Sequence, residues 1–441
     1  MSLRSRPRCG RPRLAACGWL LAALLLPAAA PLRAAEPAPL DLDEALRLAE
    51  DRAPLLAAAR LDAHALREQA VAAARLPDPT LMLALSNLPV TGPERGRLDG
   101  SPMGMAAVGL AQTWVGRDKR AARSEGLAHA ADAAQAEGER ERLRVRIGTA
   151  RAWLTRHFRA QALERLLERQ QRTRQLADAV EAAYRSGRRP LADALLARAE
   201  VARVEDRVEQ ARTALANALV GLERWIGPQA SRPPGRLPDL DRLAVVEALA
   251  VPAEDPEVAV FRLQEQVAQS RAEQARLDRR PDWSWSLMYG RRDPAFGDVI
   301  SLNVAVPLPW DRGNRQDREL AAALDRLERT RHQTEDVRRA REAQIRSRIN
   351  TWRSQLARLA LCRGERLALA EQRVVAMEAA FRGNQAPLAD YLDAQRQRLD
   401  QDLECIELAR KTAMSWAELA FLPIGPVAHA TTPSLPDEVQ P

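Results

Sequence analysis

The chain of 441 residues carries 67 Lys and Arg against 59 Asp and Glu, a formal net charge of +8, with four cysteines and five histidines. The excess sits at the front: residues 1–34 hold six arginines and no acid, and without them the net charge is about +2. The basic balance therefore belongs to a leader, and no nucleic-acid partner is expected.

Arg4, Arg6, Arg8, Arg11 and Arg13 precede an apolar run, Leu14–Ala30, that ends in small residues near Ala34 and Ala35. This is the layout of a secretory signal peptide over residues 1–34. Leu14-Ala15-Ala16-Cys17 resembles the box that directs lipid to the cysteine of bacterial lipoproteins. In such signals the apolar stretch precedes the cysteine; here it mostly follows, which argues against lipidation of Cys17. No second run of eighteen apolar residues exists, so a membrane-embedded form must use strands.

After the leader, residues 35–226 read as one unit. Thr80–Leu88 alternates Leu81, Leu83 and Leu85 with Met82, Ala84 and Ser86, and Gly104–Trp114 keeps Val108, Leu110 and Trp114 in phase. Period two predicts a strand in each, of the length a tilted membrane strand needs. No proline occurs between Pro102 and Pro190, and the composition there favours helix. A helix of roughly 100 Å is predicted from about Arg117 to Tyr184, then a shorter one from Leu191 to Trp225. Residues 227–252 hold five prolines and read as an irregular linker.

Residues 253–422 repeat the plan, with strands predicted at Asp282–Arg291 and Val299–Trp310. A long helix is expected from Asn314 to Phe381 and a shorter one from Leu388 to Ala420. Residues 423–441 read as a loose tail. The clearest copy is "EAAYRSGRRPLADALLA" at 181–197 against "EAAFRGNQAPLADYLDA" at 378–394, identical at ten of seventeen positions. In this phrase Gly187 aligns with Asn384, the two residue types that best tolerate the left-handed conformation ending a helix. Pro190 and Pro387 follow three residues later, suited to the first turn of the next helix. The phrase is a helical hairpin written twice.

Four strands cannot close a membrane barrel, and an open edge in lipid leaves backbone groups unpaired. Membrane strands would therefore require several copies, eight strands from two chains or twelve from three. Trp114, Trp283, Trp285, Tyr289 and Trp310 suit the aromatic belt at a membrane interface. The competing reading is a soluble sandwich with tryptophans in its core. No nucleophile elbow, phosphate loop, C-x-x-C or H-E-x-x-H is present, so neither an enzyme, a cofactor nor a resident metal site is expected. Met103 and Met105 raise the question of soft-metal contact, but methionines at a strand entry are usually apolar filler.

Three segments carry a family resemblance: "ARLPDPTLMLALSNLPVTGP" (74–93), "VGLAQTWVGRDKRAAR" (108–123) and "RPDWSWSLMYGRRDPAFGDVISLNVAVPLPWDRGNRQDRE" (280–319). With the duplicated layout over residues 40–422, the chain resembles the TolC-type outer-membrane efflux channels, and more narrowly their heavy-metal branch. The resemblance implies a mainly α chain with membrane β-structure. Its long helical hairpins would form a periplasmic α-barrel, and its four β-strands would join a trimeric, twelve-stranded barrel in the outer membrane of a Gram-negative bacterium. Implied partners are two further copies, a periplasmic membrane-fusion adaptor, an inner-membrane pump of the resistance-nodulation-division class and outer-membrane lipid. The hairpin tips Ser186, Gly187, Arg188 and Arg189, and Gly383, Asn384, Gln385 and Ala386, would meet the adaptor. Asp390 and Asp393 would ring the periplasmic aperture, where acids favour cations.

In that setting Cys362 and Cys405, 22 and 21 residues from Asn384, lie level across the second hairpin. They fit a disulfide or two buried thiols. Alternative functions are a channel for organic drugs and a periplasmic coiled-coil adaptor. An adaptor, however, would carry one hairpin and no paired amphipathic strands.

Overall fold

A computed structural model describes residues 38–98, 103–243 and 255–422. The leader with Cys17, residues 244–252 of the linker and the tail lie outside the described residues. The named elements all belong to one unit, Pro39–Pro441. They run α1 (Leu42–Arg52), α2 (Pro54–Ala73), β1 (Thr80–Ser86), β2 (Met105–Trp114), α3 (Arg117–Arg185) and α4 (Leu191–Ile226), then α5 (Pro256–Leu277), β3 (Trp283–Arg291), β4 (Val299–Ala305), α6 (Gln316–Leu361), α7 (Leu367–Arg382) and α8 (Leu388–Ala420).

The strands form one antiparallel sheet in the order β1-β2-β3-β4. Two predicted hairpins thus become a single sheet through pairing of β2 with β3, from Ala106↔Arg291 to Trp114↔Trp283. This seam joins the two halves of the duplicated chain. From the sheet, α3 runs without a break for 69 residues, roughly 100 Å. Near the sheet α3 packs against α2 and α5, and towards its far end against α4 and α8.

Midway, the core gathers around Trp153 of α3, which is fully buried. Its indole N–H donates to Leu40 O at 2.9 Å. Trp352 of α6 donates to Leu240 O at 3.2 Å, and Trp416 of α8 to Arg242 O at 3.0 Å. Residues 232–243 are irregular, as the prolines indicate, but three indoles and the Leu40↔Pro234 bridge tie the chain at 39–40 and 232–243 against the helices.

The linker, expected to be irregular, opens with a 3-10 helix at Gly227–Ser231, β1 ends at Ser86 rather than Leu88, and two further boundaries differ more from the sequence expectation. The second long helix is interrupted by a π turn, Cys362–Arg366, where the Leu367 amide donates to Cys362 O five residues back. Gly364 weakens the helix there, and Cys362 is drawn onto α8 by a disulfide to Cys405. Strand β4 ends at Ala305 rather than Trp310, because Pro307 and Pro309 remove two ladder donors. Trp310 therefore stands outside the sheet, 91% exposed.

Candidate functional site

Register determines the two faces of the sheet. Leu81↔Leu110, Leu110↔Leu287 and Leu287↔Leu302 form one continuous apolar rung, and Leu83↔Val108↔Tyr289↔Ile300 forms the next. These side chains are exposed, Leu83 to 76%. A contiguous apolar face of this extent is not left to water in a soluble protein. The opposite face consists mostly of Ser, Thr, Asn, Ala and Gly. An apolar exterior backed by a polar interior is the alternation of a membrane barrel. Strands β1 and β4 each lack a partner on their outer edge among the described residues.

The predicted aromatics separate by position. Trp114 and Trp283 are register partners at the helix-proximal end and stack with centroids 5.8 Å apart. Trp285 lies two residues along the same face. Tyr289 lies six residues from Trp283, about 20 Å further along the strand, towards the β3–β4 loop. Trp310 joins the helix-proximal end only through the irregular stretch after β4.

Where the sheet meets the helices, Lys119 makes a contact that the sequence did not signal. It is buried at the start of α3 and pairs with Asp282 at 3.0 Å and Asp278 at 3.6 Å, both beside the entry to β3. It also donates to Arg280 O. This clamp holds the first repeat to the second at the foot of the seam. Only the pairing of β2 with β3, a tertiary fact, brings these residues together.

At the far end the duplicated phrase folds into two nearly identical turns. Gly187 has φ +73° and Asn384 has φ +57°. Arg188 N donates to Ala183 O at 2.9 Å and Gln385 N to Ala380 O at 2.8 Å, while Gly187 N reaches Tyr184 O and Asn384 N reaches Phe381 O. Both are Schellman caps. Pro190 and Pro387 come immediately before the first helical residue, with extended backbone, rather than inside the first turn.

The two turns touch through residues that differ between the copies. Arg189 lies over the Phe381 ring at 4.2 Å, donates to Phe381 O at 3.3 Å and pairs with Asp193 at 3.6 Å. Phe381 in turn stacks on Tyr391, centroids 5.6 Å apart. Tyr391 is buried with Val180, Ala194, Leu388 and Leu392. Burial, with Glu378 nearby, raises its phenol pKa. In the first copy Ala194 stands at the Tyr391 position, so Tyr184 has no ring to meet.

Of the predicted aperture acids, Asp390 is exposed in the first turn of α8, and Asp393 is half-buried one turn on. Asp393 accepts from Gln397 at 2.8 Å and lies 3.7 Å from Arg373. Among the described residues no hydrogen bond or ion pair to the Asp390 carboxylate is found. The remaining tip residues, Ser186, Gly383 and Ala386 among them, stand exposed or half-buried at the turns. The buried cysteines Cys362 and Cys405 are disulfide-bonded, with Cα atoms 5.8 Å apart. No group of three or more His, Cys, Asp or Glu that could hold a metal occurs among the described residues. None of the described helices is long and apolar enough to cross a membrane.

Comparison with known proteins agrees with this geometry. Residues 45–228 match the model of the outer membrane efflux protein family. No curated protein sequence matches the chain. Among solved structures, the outer membrane protein VceC of Vibrio cholerae superposes with a TM-score of 0.68 at 17% identity, covering 86% of this chain and 94% of its own. A membrane protein from Pseudomonas aeruginosa gives 0.73 at 15%, covering 87% and 90%. CusC, whose structures concern folding and transmembrane channel formation, gives 0.72 at 15%, covering 87% and 92%. Over residues 45–228 the chain matches the outer membrane efflux protein family, and over most of its length it shares the fold of these solved structures.

Proposed function

We propose that the protein is the outer-membrane exit duct of a tripartite efflux system, a homotrimer that exports heavy-metal cations delivered by an inner-membrane pump and a periplasmic adaptor. The observation that carries the reading is an open-edged, four-stranded sheet with one largely apolar face, fused to a helix of roughly 100 Å. In lipid those edges need partners, and symmetry copies supply them. The helices then continue the wall into the periplasm, ending at the paired hairpin tips that suit adaptor contact. Nothing in the duct makes or breaks a bond.

The metal assignment rests on the three quoted segments and on the exposed Asp390 near the tip, which three copies would multiply around one opening. Two measurements test the proposal. Purified protein in a planar bilayer is expected to give cation-preferring conductance, and its absence would remove the duct. A strain lacking the gene is expected to lose tolerance to one or more of copper, silver, zinc, cobalt and cadmium. Sensitivity limited to dyes and bile-type detergents would keep the duct and overturn the metal substrate.

A further inference from the structure

The face of the sheet turned away from the apolar side holds a concentration of thioethers. Met82, Gly109, Met288 and Ser301 are register partners in one rung across all four strands. Gly109 leaves a gap between the two methionines, and Met288 lies over it: a Cβ at residue 109 would stand 2.6 Å from Met288 Cγ. Met288 thus leans from β3 towards the strand that carries Met82. On the same face Met105 leans over Gly290, where a Cβ would stand 2.9 Å from the Met105 sulfur. Gly290 is the next residue on that face after Met288, so the Met105 sulfur stands one same-face step along the sheet from the rung that carries Met82 and Met288.

Apolar filling does not account for this placement. Filler belongs on the opposite face, where Leu, Val and Ile already stand. Around the methionines the face is otherwise built from Ser, Thr, Asn, Ala and Gly, with Val299 the one other sizeable apolar side chain. All three methionines remain half-buried at an otherwise polar surface. Four of the chain's seven methionines lie in or beside the sheet, which spans a small part of its length, so chance composition is a poor account. Thioethers are soft, uncharged ligands that select ions of the copper(I) type over hard or borderline cations.

We propose that Met82, Met105 and Met288 form a thioether site for soft monovalent cations, copper(I) and silver(I), on the inner wall of the barrel. The site rests on the duct reading above, since only barrel closure makes this face a lumen. Neutral ligands on an open wall hold such an ion without trapping it, as a conducting path requires. The duct itself would then discriminate in favour of soft ions, in addition to any choice made by the pump.

The test uses the full-length protein in detergent, in chloride-free buffer, with silver(I) as a redox-inert probe. Equilibrium dialysis with elemental analysis counts bound silver, and silver-edge X-ray absorption identifies its ligands. The wild type is expected to hold silver through sulfur. The triple variant M82L/M105L/M288L, close to volume-conserving, is expected to bind at least about tenfold more weakly, with zinc(II) retention unchanged. The single variants M82L and M288L, each expected to weaken binding several-fold, serve if the triple variant does not assemble. Equal silver retention by wild type and variants, or ligation without sulfur, overturns the site. Bilayer conductance of the same preparations separates the two ideas: a conducting wild type that ignores silver loses the site and keeps the duct.

Discussion

At the scale of single residues, the duplicated turns show how one backbone requirement is met twice by different side chains. Gly187 and Asn384 both adopt positive φ, where glycine is unstrained and asparagine is tolerated. Gly187→Ala is expected to destabilise the first hairpin by about 1 kcal/mol, and Asn384→Gly to leave the second nearly unchanged. Hydrogen exchange of the turn amides measures both. Equal effects at the two turns would mean that backbone conformation does not set the residue choice.

His157 offers a second residue-scale prediction. Burial, with Arg156 beside it, holds its pKa below the ordinary 6.5. Above that pH it is neutral in both states and costs nothing. As pH falls below 6.5 the unfolded chain takes up a proton that the folded one resists, so stability declines until the depressed folded pKa is reached. His157→Gln is expected to flatten the melting-temperature profile just below pH 6.5. An unaltered slope would assign the acid sensitivity to another group.

At the scale of elements, helix lengths and the hairpin turns were legible because their signals are local. Long proline-free stretches, a Gly or Asn stop and a proline restart fixed α3, α4 and α8 to within a residue or two. Strand alternation was equally plain, but it continues past Ala305 through Val306 and Leu308, where Pro307 and Pro309 end the ladder. The π turn had no such signal. The count of residues from the turn brought Cys362 level with Cys405, but not the extra residue of winding that seats the sulfur.

Below that turn α7 has no fully buried residue in the single chain; it meets α8 through the partly buried Val374, Met377 and Phe381 near the hairpin tip, and elsewhere through exposed ion pairs such as Arg373–Asp393 at 3.7 Å. Exposed pairs of this kind contribute little. At the end of α7 next to the π turn, away from those apolar contacts, the disulfide therefore carries much of the attachment. Its 43-residue loop implies a stabilisation of about 4 kcal/mol in the chain-entropy account. Cys405→Ser is expected to accelerate amide exchange throughout Leu367–Arg382 while leaving α3 unchanged. Uniform protection across both long helices would place the anchor elsewhere.

At the scale of the whole molecule, the candidate site was legible in kind but not in arrangement. Alternation revealed a sheet with one apolar face. It did not reveal that β2 and β3 pair, and so it missed the Lys119 clamp and the methionine patch, both of which exist only across that seam. The same seam makes the two faces experimentally separable. Leu83 and Ala84 are neighbours in β1 and point to opposite sides. On the proposed barrel Leu83→Arg would put a charge into lipid, at roughly 2–4 kcal/mol per copy near the bilayer midplane. Several copies in one barrel multiply that cost, so the assembly is expected to fail to insert. On the proposed barrel Ala84→Arg faces the lumen. It is expected to assemble normally and to reduce cation conductance by electrostatic repulsion. A soluble sandwich would order the two variants otherwise, since neither face would border lipid or a conducting path. Outer-membrane fractionation and conductance of this adjacent pair therefore test barrel, lumen and orientation together.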